Sequence, residues 1–210
     1  FENVYDVSGV LSNLDELKKW FDNAEWYRVY DFVEIYIGFL TPKEQVDARE
    51  NFNNVLQQEN AGYRVSGSHV IPITNEGELQ CIEKAQETIY RSVNIHFQKA
   101  AELYSKRPVP DYENTIKEAI SAVEAMCCII TENPKATLGE ALKNLESKGV
   151  KLHKALQSAM SSLYGYTSDE GGIRHGSIDF AGASSEDAKY MLISCSAFVN
   201  YLIEKWEKVK

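Results

Sequence analysis

The chain has 210 residues, 44% of them hydrophobic and 25% charged, which suits one large globular domain or two small ones. Its longest apolar runs, such as Met126 to Ile130, are far too short to span a bilayer, so no membrane partner is expected. The net charge of −9 lies in the first half: residues 1–90 carry 7 Lys and Arg against 16 Asp and Glu, while residues 91–210 carry 15 against 15. An acidic first half repels a phosphate backbone, so DNA is not an expected partner and any RNA contact belongs locally to the second half.

In chain order, residues 13–40 carry apolar positions at helical spacing. Leu14, Leu17, Trp20 and Phe21 form one set, and Trp26, Val29, Tyr30, Val33 and Ile37 another. Asn13 followed by Glu16 reads as a cap. Thr41-Pro42 opens a further helix that stops near Gly62. Tyr63 to Val65 and Val70 to Ile73 flank Ser66-Gly67-Ser68-His69, which predicts a short β-hairpin with a solvated His69 near its turn. Pro72 keeps that strand at an edge.

Asn75 and Glu78 begin a pattern that meets no Pro or Gly between Gly77 and Pro108. It predicts one helix over residues 75–105, about 45 Å long, with the domain boundary inside it near 88–91. Four more helices are predicted over 111–132, 136–147, 151–164 and 185–208. The fold class expected is mainly α: a small helical N-terminal domain with one hairpin over residues 1–88, then an up-and-down helical bundle over 89–210. The apolar residues of 185–208 exceed what one small bundle needs, so a homodimer is expected.

The cysteines, Cys81, Cys127, Cys128 and Cys195, form no CxxC pair and read as buried thiols of a cytoplasmic protein. No Cys/His cluster has zinc spacing, and no phosphate-binding glycine loop or metalloprotease motif occurs, so neither a cofactor nor a metal is expected. The chain opens at Phe1, so a removed or trimmed start segment is expected, and residues 1–20 do not read as a signal peptide.

The segment with most chemical content is Gly171-Gly172-Ile173-Arg174-His175-Gly176, between the last two long helices. An Arg that holds a phosphate beside a His that moves a proton is a minimal set for cutting RNA. The same six residues also read as a plain surface turn. Glu124 falls at the edge of the apolar face of its helix. It is either a partner for Arg174 or a solvated edge residue. Glu118 points away from that face and reads as solvated. Arg91 and His96 match an Arg-x4-His pattern by letter, but they sit about 140° apart on one helix, so the match reads as accidental. His153 reads as an ordinary helix residue.

Residues 89–210 resemble the HEPN superfamily in its abortive-infection form. The resembling stretches are Tyr112 to Ala119, Ala122 to Ala125, Leu163 to Tyr166, Gly172 to Gly176 and Glu186 to Ala188. Residues 19–86 resemble an AbiJ-type N-terminal domain through Trp26 to Phe32, Tyr63 to Val65 and Ile73 to Leu79. The resemblance implies a bacterial phage-defence protein, cytoplasmic and dimeric. Its helical domain would bind RNA and, as a metal-independent endoribonuclease, cleave it. It implies His175 as general base, Arg174 at the phosphate and Glu124 orienting Arg174. The family motif separates Arg and His by four to six residues, whereas Arg174 and His175 are adjacent. Some superfamily members are non-catalytic, so the alternative is a dimeric interaction or sensor module.

Overall fold

A computed structural model describes the backbone of residues 7–168 and 182–210, and side chains of 14–166 and 182–210. The protein is mainly α, as the sequence predicts. Three helices come first: α1 (Val7–Asn23), α2 (Trp26–Phe39) and α3 (Pro42–Gln58). Helix α1 starts upstream of Asn13, so Asn13 lies inside it and is not its cap. The rings of Trp20 and Phe21 contact Phe32 of α2, with centroids 5.7 and 5.1 Å away. Helix α3 starts as its sequence dictates. Pro42 takes the first turn, and the Glu44 carboxylate accepts from the Thr41 amide at 2.9 Å and from its hydroxyl at 2.6 Å.

Strands β1 (Arg64–Ser66) and β2 (His69–Ile71) pair antiparallel, with Ser66 opposite His69. The turn is therefore Gly67-Ser68 alone, and Gly67 takes the left-handed φ of 57° it needs. Asn53 of α3 fastens the hairpin by accepting from the Val65 amide at 2.7 Å and donating to its carbonyl at 2.9 Å.

The predicted helix over 75–105 is two helices. Helix α4 (Glu76–Gln86), capped by the Asn75 side chain, ends before α5 (Arg91–Ser105) begins. No Pro or Gly makes this break. Asn94 makes it: its Oδ1 accepts from the Thr88 amide at 3.0 Å and from the Thr88 hydroxyl at 2.5 Å, and its Nδ2 donates to the Thr88 carbonyl at 2.7 Å. These bonds replace helical ones, the competition that short polar side chains offer a helix.

Helix α6 (Tyr112–Thr131) is capped by Asp111 and stops where Glu132 turns left-handed at φ 55°. Helix α7 (Leu138–Asn144), capped by Thr137 and Glu140, runs into a 3-10 turn that Gly149 ends at φ 86°. Helices α8 (Lys154–Ser168) and α9 (Ser185–Trp206) follow, α9 capped by Ser184 and Asp187.

Among the described residues two apolar cores result. The small one joins Val33 and Ile37 of α2 to Val65 and Val70 of the hairpin. The large one fills the space between α4, α5, α6, α7 and α9, with Ile82, Phe97, Ile120, Leu142 and Val199 fully or almost fully buried. Ile71 and Ile73, beyond the hairpin turn, also enter it. Helix α4 thus shares the large core, and Lys84–Glu204 and Lys189–Glu78 ion pairs cross its seam with α9. The apolar stripe of α9, from Ala188 through Met191 and Val199 to Leu202, is buried within the single chain. A homodimer therefore draws no support from that stripe.

Candidate functional site

Arg174 and His175 lie in the connection between α8 and α9, outside the described residues. The structure does describe what flanks that connection. Tyr166 near the end of α8 lies close enough to Asp187 in the first turn of α9 for the two to interact electrostatically. Burial first, and that carboxylate second, push the Tyr166 phenol up. Gly182, at φ 77°, stands against Glu113 at the start of α6. A cavity of about 410 Å³ opens there, lined by Lys106, Arg107, Asp111, Glu113 and Gly182 among others.

Arg107 is the most constrained charge in this region. Its side chain is 5% exposed. One guanidinium nitrogen lies 3.0 Å from Asp31 and 2.8 Å from Glu34, both on α2. A second donates to the Val70 carbonyl at 2.8 Å, and the group lies 5.9 Å from the Tyr30 ring centroid. A planar fork of donors suits this many partners, where a lysine would satisfy fewer. The connection between α5 and α6 is thereby tied to α2 and to β2. Nothing in the local sequence marks Arg107, because its partners lie far away in the chain.

Glu124 sits elsewhere. About three helical turns of α6, or about 16 Å, separate it from Glu113. It is half-buried in a second groove, of about 740 Å³, with His96, Ser121, Cys128 and Lys135 among the lining. On α5, His96 lines this groove and Arg91 does not, in keeping with their different faces.

Two expectations are corrected here. Glu118 is not a solvated residue: its side chain is 16% exposed, and it accepts from His96 Nδ1 at 2.7 Å and from the Lys99 ammonium at 2.5 Å. The face of α6 that its own periodicity leaves polar is covered by α5, and His96 and Lys99 share a face of α5 at i, i+3 spacing. His69 is not solvated either. It follows the hairpin turn but is half-buried, 3.9 Å from Glu34, and burial lowers its pKa despite the carboxylates of Glu34 and Glu102.

Burial alone would raise the Glu118 carboxyl, but its bonds from His96 and Lys99 outweigh that and hold it below the ordinary range. A depressed carboxylate adds stability above the unfolded-state pKa of about 4.3, and loses it as pH falls through the folded value. Glu118→Gln should therefore lower the urea midpoint at pH 6, and the gap to the parent should close in acid. An equal gap at pH 6 and pH 3 would refute this.

The four cysteines are free thiols. Burial pushes Cys195 up to about 12 and raises Cys81, Cys127 and Cys128, so none has the character of a nucleophile at neutral pH. Among the described residues no group of His, Cys, Asp and Glu is arranged to hold a metal ion, and no helix is long and apolar enough to cross a membrane.

Residues 3–88 match the family model of AbiJ N-terminal domain 4. The first part of the chain is thus an AbiJ-type N-terminal domain, and the match ends in the break between α4 and α5. No curated protein and no solved structure matches the chain.

Proposed function

We propose, from an AbiJ-type domain joined to a helical bundle, that this chain is an abortive-infection protein of phage defence whose bundle binds RNA and cleaves it without metal. The observation that carries the defence context is the match over residues 3–88. The RNA reading rests on the chemistry of Arg174 and His175, and on the HEPN resemblance of residues 89–210.

In this mechanism His175 takes the proton from a ribose 2′-hydroxyl. The 2′-oxygen attacks the adjacent phosphorus, and the bond from phosphorus to the 5′-oxygen breaks. The 5′-oxygen takes a proton from water as it leaves and His175 returns its own proton to solvent, so the products carry a 2′,3′-cyclic phosphate and a 5′-hydroxyl. The Arg174 guanidinium neutralises the charge that grows on the non-bridging oxygens. Glu124, by this reading, orients Arg174. A homodimer formed through the bundle would supply two such sets, and light scattering that gives a monomer at tens of micromolar would overturn that part.

The adjacency of Arg174 and His175, where the family motif separates the two by four to six residues, favours a second reading, a non-catalytic RNA-binding or sensor module. Cleavage of purified total RNA by the parent chain, by Arg174→Ala and by His175→Ala separates the two. The enzymatic reading expects loss in both variants and full activity in Arg91→Ala. If no RNA is cut but Arg174→Ala weakens RNA binding, the second reading takes over.

A further inference from the structure

Helices α1, α2 and α3 leave an apolar groove that the other described residues do not fill. Three stripes at helical spacing supply it, Leu17 on α1, Phe32 and Tyr36 on α2, and Ala48, Phe52 and Val55 on α3, and Leu14 and Phe39 continue the first two beyond its lining. Leu17, Phe32, Tyr36, Ala48, Phe52 and Val55 line a groove of about 430 Å³. The stripes run on into solvent, with Phe39 85%, Val55 56% and Leu14 54% exposed. Helix α3, although 17 residues long, has no fully buried side chain. Contiguous exposed apolar surface of this kind marks an interaction site.

Charge selects the occupant. Residues 14–59, which build the groove, carry ten Asp and Glu against five Lys and Arg. A second copy would bring the same negative excess to the face and be repelled, and so would nucleic acid or an anionic lipid surface. An apolar groove carried by a segment of net negative charge fits a helix with an apolar stripe and basic flanks.

We propose that the α1–α2–α3 groove docks a basic amphipathic helix of a partner protein. The site lies in the AbiJ-type domain and does not depend on the RNA reading of the bundle.

The test uses the full chain and a fluorescein-labelled 18-residue peptide of Leu and Lys, with Leu at i, i+3, i+4 and i+7. Fluorescence anisotropy should give saturable binding that weakens at least tenfold in Val55→Ser. Ile89→Ser, an exposed apolar site outside the groove, should leave binding unchanged. The same peptide with Glu in place of Lys should bind at least tenfold more weakly. The proposal is overturned by absent binding, by equal binding of the Lys and Glu peptides, or by Val55→Ser binding as tightly as the parent. It is also overturned if light scattering shows the chain self-associating through this face, with the association lost in Val55→Ser. Loss of RNA cleavage with peptide binding intact would sink the RNA reading alone.

Discussion

Arg107→Ala is expected to destabilise the protein by about 3 kcal/mol in urea unfolding, the low end of the range of about 3–5 kcal/mol for removing one partner of a buried ion pair, because its partners are only partly buried. The guanidinium is 5% exposed, and its loss leaves Glu34, 23% exposed, and the Val70 carbonyl without it. Asp31 is 46% exposed and keeps more of its water, so most of the loss should come through Glu34. Arg107→Lys should recover only part of it, because an ammonium cannot reproduce the fork. A double-mutant cycle of Arg107→Ala with Glu34→Gln should show coupling above about 0.5 kcal/mol. If Arg107→Ala unfolds at the parent midpoint, the tie between α2 and the α5–α6 connection contributes nothing.

Phe97→Ala should cost about 3–5 kcal/mol, the usual range for emptying a buried aromatic site. Phe97 is fully buried on α5, and α5 packs against α4, α6, α9 and β2, so no single element can close the cavity. Ile89→Ser, at a residue 79% exposed in the α4–α5 break, should stay within about 0.5 kcal/mol of the parent. Equal losses in the two variants would mean that the large core is not where the structure puts it.

The parts of this fold that local rules decide were legible in the sequence. Thr41-Pro42 and Asn75 begin capped helices as the sequence predicts, and the apolar period of α6 matches the side chains it buries. The misread parts depend on partners distant in sequence or on side chains that compete with the backbone. The α4–α5 break comes from Thr88 and Asn94, neither of which breaks a helical pattern by itself. Glu118 looked solvated because its pairing with His96 exists only once α5 lies on α6. Arg107 carries no local signal for the same reason. Of the proposed site, Glu124 was legible as an edge residue. Its groove was not, since residues of α5 and of the segment leading into α7 help to form it.

The RNA reading makes one chemical demand that no binding module meets. The most direct measurement is analysis of RNA ends after incubation of the purified full chain with total RNA in EDTA, beside His175→Ala. The account predicts fragments ending in 2′,3′-cyclic phosphate and 5′-hydroxyl with the parent chain, and intact RNA with the variant. Intact RNA in both, cleavage that EDTA abolishes, or fragments that persist in His175→Ala would contradict it.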